Sequence, residues 1–108
     1  MERPKEYSPE EVAGMLRSET PPRLVDVRER AEWDIVHLES GELLTDELLD
    51  EILNEWPPET PIVCYCHHGI RSLNAALFLQ QKGFQNVSSM RGGIDAWSLQ
   101  IDPRLPRY

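Results

Sequence analysis

The stretch Pro61-Ile62-Val63-Cys64-Tyr65-Cys66-His67-His68-Gly69-Ile70-Arg71-Ser72 decides how this chain folds. Pro61 to Tyr65 is a short apolar run that reads as a strand. Leu73 to Lys82 is apolar over much of a helical circumference, as in a helix packed against a sheet, with Ser72 read as its cap and Gly83 as its stop. Between them lies a tight turn holding Cys66. A strand-to-helix turn gathers backbone N–H groups around such a sulfur, and the positive end of the following helix favours negative charge there. Cys66 is therefore read as a nucleophile. Gly69 lets the loop curl, and Arg71 adds a charged donor.

Working outward, the pattern of strand, then helix, recurs. Ser8-Pro9-Glu10-Glu11 is a helix start, with Ser as cap, Pro at the first helical position and Glu three after the cap. Arg23 to Val27 reads as a buried strand and Arg28 to Trp33 as a helical turn beyond its end. Ile35 to Leu44 is ambiguous and reads at most as a weak edge strand. Asp46 to Trp56 carries Leu48, Leu49, Ile52 and Leu53 at helical spacing, and Pro57-Pro58 ends it. Phe84 to Ser89 is a third strand, followed by the Arg91-Gly92-Gly93 turn and a short helix through Trp97. The remainder, Ile101 to Tyr108, is read as irregular. Trp33, Trp56 and Trp97 are read as packing residues.

Strands alternating with helices at these intervals predict an α/β fold, a three-layer sandwich with a mostly parallel central sheet flanked by helices. In such folds sites gather at the carboxyl ends of the strands. Asp26 to Arg28, Cys66 to Arg71 and Met90 to Gly93 all fall there, so three strand ends are expected to converge on one pocket. In that pocket Asp26 is assigned to buttressing the loop, Arg28 to structural pairing with a nearby acid, and Arg91 to the lining. His67 and His68 shape the mouth.

Size and charge narrow the field. At 108 residues the chain suits one domain spanning 1–108. No apolar run approaches membrane-spanning length, and the first residues lack a signal-peptide core, so a cytoplasmic, non-membrane protein is expected. Cys64 and Cys66 are too close in sequence for a useful disulfide. The net charge of −8 sits in residues 39–59, which hold eight acids and no base; the rest is balanced at eleven of each sign. With no basic stripe, nucleic acid is excluded as a partner. The acidic stretch is read first as a solvated helix face, with docking of a basic partner as the rival. Cys64, Cys66, His67 and His68 are metal-ligand types, yet Cys64 falls within a strand and no second ligand pair exists, so no metal is expected.

Taken in order, these motifs resemble the rhodanese (thiosulfate sulfurtransferase) superfamily, specifically its small single-domain members. The resemblance runs through Ser8 to Glu11, Leu24 to Glu29, Glu32-Trp33, His37-Leu38, Ile62 to Ser72, Gly83 to Val87 and Gly92 to Trp97, and ends in Asp102 to Tyr108. It implies an enzyme that takes sulfane sulfur from a donor such as thiosulfate onto Cys66, as a persulfide, and passes it to a thiol or other nucleophilic acceptor. The active-site loop would be His67, His68, Gly69, Ile70, Arg71 and Ser72, with no cofactor and with a partner protein as a possible sulfur acceptor. Rhodanese-related phosphatases place one residue more between cysteine and arginine than the four found here, where Ser72 takes the phosphatase arginine position. A non-enzymatic interaction module, or a persulfide carrier for a partner, is the alternative.

Overall fold

The computed structural model describes residues 3–108. Five strands form one sheet in the spatial order β1-β5-β4-β2-β3. They are β1 (Lys5–Tyr7), β2 (Arg23–Asp26), β3 (Gly41–Leu43), β4 (Ile62–Tyr65) and β5 (Val87–Met90). Every pairing is parallel. Between them run α1 (Pro9–Leu16), α2 (Arg30–Ile35), α3 (Asp46–Glu55), α4 (Ile70–Gln81) and α5 (Gly93–Gln100).

A parallel sheet needs cover on both faces, because each crossover helix lies against one of them. Side chains of β4 therefore alternate between two apolar layers. Ile62 and Cys64 pack with Val25, Val87 and the α3 and α4 residues Ile52, Ala76 and Leu79. Val63 and Tyr65 pack on the opposite face with Leu24, Met90, Val12 of α1 and Ile94 of α5. The three layers expected from the sequence are thus present.

Several local expectations hold. Ser8 and Glu11 form a capping box at α1, each side chain accepting the other's backbone N–H. Gly83 follows α4 at φ +104°, a left-handed conformation suited to glycine. Residues Gly41–Leu43 are an edge strand pairing with β2. Asp46, Glu47, Asp50, Glu51 and Glu55 of the acidic stretch are exposed on α3, while Glu42 pairs with Arg23 through Oε1 and Nη2 at 2.8 Å.

Others need correcting. β1 was not anticipated: two exposed charged residues and Tyr7, which alone packs on the core, are too few to show an alternation. β5 starts at Val87, three residues later than read, since Gly83 to Asn86 forms the turn into it. Ser72 does not cap α4. The cap is Gly69, at φ +103°, and the helix begins at Ile70.

Candidate active site

Because all five strands run the same way, the carboxyl ends of β2, β4 and β5 lie along one edge of the sheet. The 66–72 turn leaves β4 there and is clamped against the turn that follows β5. Ile94 N–H donates to Cys66 O at 2.9 Å and Asp95 N–H to His67 O at 3.2 Å. Gly93 permits this contact: it sits at φ +64°, and a Cβ there would overlap the carbonyl oxygens of Cys66 and His67. Of the two glycines that read as a simple turn, Gly93 is what lets the two loops touch, while a Cβ at Gly92 would meet Ala96 of α5.

Cys66 is 1 % exposed, at the floor of a pocket of about 300 Å³ lined also by His67, His68, Ile70 and Arg71. Its Sγ accepts the Gly69 N–H at 3.1 Å and the Ser72 N–H at 3.3 Å. Gly69 has no side chain to cap α4, so the sulfur accepts the N–H of the helix's third residue in place of a cap oxygen. Ser72 Oγ accepts from the thiol at 3.3 Å and lies 2.7 Å from Ser89 Oγ. Ser72 and Ser89 are both fully buried. A sulfur held by two amides and a reorientable hydroxyl pair is placed to carry negative charge without a metal. Cys64, by contrast, lies in the apolar layer beneath α3 and α4, where burial pushes its thiol up to about 12.

Around this floor the arginines are all engaged. Arg71 turns both Nη atoms onto Glu32, at 2.8 and 3.0 Å, and not onto the sulfur. Arg28 is paired with Asp26 in the interior, Nη2 to Oδ2 at 2.7 Å and Nε to Oδ1 at 3.0 Å, both side chains 0 % exposed. Asp26 accepts from the Arg28 backbone and guanidinium, with the Tyr65 hydroxyl also against it, and so supports the loop only indirectly. Arg91 does not line the pocket: its backbone N–H donates to Tyr7 O at 2.7 Å and its exposed guanidinium reaches Glu6 O, because pairing with β1 turns it to the sheet edge.

The residues after α5 include one that sequence reasoning missed. Tyr108 donates its hydroxyl to Glu32 Oε2 at 2.7 Å and accepts from Arg28 Nη1 at 2.8 Å. Its ring stacks on His67 at 3.9 Å, and His67 stacks on His68 at 3.8 Å. Arg107, next to it, forms a two-point pair with Asp95. The irregular stretch is therefore a strap along one side of the pocket. Burial first, and the neighbouring His68 second, lower the His67 pKa and keep that ring neutral.

His67, His68 and Asp95 bring possible metal-ligand atoms within 4.8 Å of one another. The two imidazoles are stacked face to face, so their lone pairs do not converge, and the carboxylate is taken by Arg107.

The two hydrogen bonds from Arg71, with those from Tyr108 and the Glu29 amide, draw the Glu32 carboxyl from the usual 4.5 down to about 2. A carboxyl with a depressed folded-state pKa stabilises the fold above its unfolded pKa, and that contribution is lost as pH falls toward the folded value. Glu32→Gln is thus expected to cost about 1 kcal/mol at pH 7. The gap from wild type should close between pH 4.5 and about 2, as urea unfolding across that range would show. A gap independent of pH would contradict the pairing.

Comparison with known proteins agrees with this architecture. The family model described as "Rhodanese-like domain" matches residues 8–100, and the chain belongs to that family. It is 34 % identical over 92 residues to the thiosulfate sulfurtransferase GlpE of Actinobacillus pleuropneumoniae, covering 85 % of this chain and 84 % of that protein. It is 35 % identical over 103 residues to a probable adenylyltransferase/sulfurtransferase, MoeZ, of Mycobacterium tuberculosis. That match covers 94 % of this chain but only 26 % of MoeZ, so the chain spans about a quarter of that relative's length. Among solved structures, a rhodanese-like domain protein from Staphylococcus aureus superposes with a TM-score of 0.77 at 23 % identity, over 96 % of this chain and 98 % of that one. No helix among the described residues is long and apolar enough to cross a membrane.

Proposed function

We propose that the protein is a sulfurtransferase that works through a persulfide on Cys66. The observation that carries this is the Cys66 Sγ held by the Gly69 and Ser72 amides at the floor of a pocket. In the first step the Cys66 thiolate attacks the outer sulfur of a sulfane donor. With thiosulfate the S–S bond breaks, its electron pair leaves with sulfite, and Cys66–S–S⁻ forms. In the second step an acceptor thiolate attacks the outer sulfur of that persulfide. The bond within the persulfide breaks, the acceptor leaves as R–S–S⁻, and the Cys66 thiolate is restored.

The outer sulfur of Cys66–S–S⁻ has no covalent bond to the protein beyond the first sulfur. Its charge needs donors, and the remaining amides of the 67–71 turn are the groups assigned to it. Ser72 and Ser89 can follow the sulfur's state, because each hydroxyl rotates to donate or accept. His67 and Tyr108 are walls in this reading, not acids or bases. Asp26 and Arg28 are supports for the strap, and Arg91 has no role at the sulfur.

Ile70 stands 74 % exposed at the rim, an apolar contact beside a nucleophile. Such a rim suits a thiol presented by a protein as well as a small-molecule acceptor. The test of the reading is intact-mass spectrometry after incubation with thiosulfate, mercaptopyruvate or polysulfide. Gain of one sulfur from at least one donor, lost again on adding a thiol, is the expected result; no gain from any of them removes the proposal.

A further inference from the structure

Arg71 is the only fixed cation among the residues lining the Cys66 pocket, and it is not free. Glu32 takes both of its Nη atoms, at 2.8 and 3.0 Å. Glu32 is in turn held in place from two sides, by the Tyr108 hydroxyl at 2.7 Å and by the Glu29 backbone N–H at 3.1 Å. The nearby cations Arg28 and Arg107 are matched in the same way by Asp26 and Asp95. The mouth of the pocket is therefore close to electrically neutral, on a protein whose net charge is −8. A dianion approaching Cys66 meets no uncompensated positive charge among the lining residues, and at low ionic strength the net negative charge carried on residues 39–59 adds a long-range repulsion.

From this we infer that Glu32, locked by Tyr108, is a specificity-determining residue that holds Arg71 off the sulfur and makes the site select organic persulfides over dianionic donors such as thiosulfate. The inference rests on the sulfurtransferase reading and narrows its donor. With an organic persulfide the loading step balances as Cys66–S⁻ + R–S–SH → Cys66–S–SH + R–S⁻. The S–S bond of the donor breaks, its electron pair leaves on R–S⁻, and the proton travels with the transferred sulfur. The reacting end of such a donor carries at most one negative charge. The exposed Ile70 gives its organic group an apolar surface on which to rest.

The test is single-turnover loading of Cys66, followed by intact mass, with thiosulfate and with cysteine persulfide as the two donors at low ionic strength. Wild type should load faster from cysteine persulfide. Glu32→Gln keeps the shape and the acceptor for the Glu29 amide while removing the charge, so Arg71 becomes an uncompensated cation. One such charge at roughly 6 Å from a dianion in water raises its encounter about tenfold, and salt near 0.1 M cuts the gain to about threefold. Thiosulfate loading should rise by that amount in Glu32→Gln, with cysteine persulfide changing about threefold at most and the gain shrinking in salt. Tyr108→Phe, which loosens Glu32 without removing it, should move the donor ratio the same way by a smaller factor. Wild type that prefers thiosulfate, or a donor ratio untouched by both variants, overturns the inference. Loading from neither donor, in wild type and variants alike, overturns the sulfurtransferase reading beneath it.

Discussion

Cys66→Ser is expected to abolish sulfur loading, while Cys64→Ser should load like wild type. The two cysteines are both buried, so burial alone does not separate them. What separates them is the company each keeps. Cys66 Sγ accepts two amide hydrogens and forms the floor of an open pocket. Cys64 lies in the apolar layer between β4 and the α3 and α4 helices, and its thiol is pushed up to about 12 by burial. At neutral pH it is a protonated thiol with no path to a donor. Serine at position 66 keeps the hydrogen bonds but offers an alcohol in place of the soft sulfur nucleophile. Loading should fall at least about a thousandfold, to the solution background. Intact mass with and without donor reads both variants directly. A Cys66→Ser protein that still gains one sulfur would place the chemistry elsewhere.

Arg28→Met should have the largest effect on stability. The Asp26–Arg28 pair is 0 % exposed on both sides, and Arg28 also donates to the Val36 carbonyl at 2.6 Å and to the Tyr108 hydroxyl. Burial works against the charge, but the bonds to Asp26 and Tyr108 prevail and raise the Arg28 pKa. Truncating the arginine leaves a carboxylate in the interior without its counter-ion, facing only the backbone N–H of position 28 and the Tyr65 hydroxyl. Breaking a buried pair from one side typically costs about 3–5 kcal/mol, a large part of the stability of a small domain. Urea unfolding would measure it. The double variant Asp26→Asn with Arg28→Met removes both charges and should recover a good part of the loss. A single variant within 1 kcal/mol of wild type, or a double variant as weak as the sum of its parts, would show that the pair is not the support described.

Strand–turn–helix around Cys66 was legible because each part has a local signal. Ile62 to Tyr65 is an uninterrupted apolar run, Gly69 marks the curl, and α4 carries apolar residues over much of its surface. The layers followed from the same alternation, and the Asp26, Cys66 and Met90 strand ends do lie along one edge. What escaped was set by tertiary neighbours. Ser72 stands in the first turn of its helix, where its own amide is one of those needing a cap and is satisfied by sulfur. Arg91 was placed in the pocket by its position after a strand, but an edge strand of only three residues, too short to show periodicity, draws it away. Arg71 was expected to face the anion, and no local pattern could show that Glu32, 39 residues earlier, had claimed it. Tyr108 lies 80 residues from Arg28 and 76 from Glu32, so its part in the site is a property of the closed fold alone. Ser89 and Asp95 were missed for the same reason.

The sulfur that takes the place of a helix cap has a consequence for how the molecule melts. Chemical state at position 66 and folding equilibrium are thermodynamically linked, because the α4 amide bonds only in the native protein. A persulfide anion that gains further amide contacts should raise the melting temperature, whereas a bulky alkyl adduct that pries Sγ away from Gly69 and Ser72 should lower it. Differential scanning would then report occupancy of the nucleophile without any substrate, turning the first turn of one helix into a gauge for the reaction.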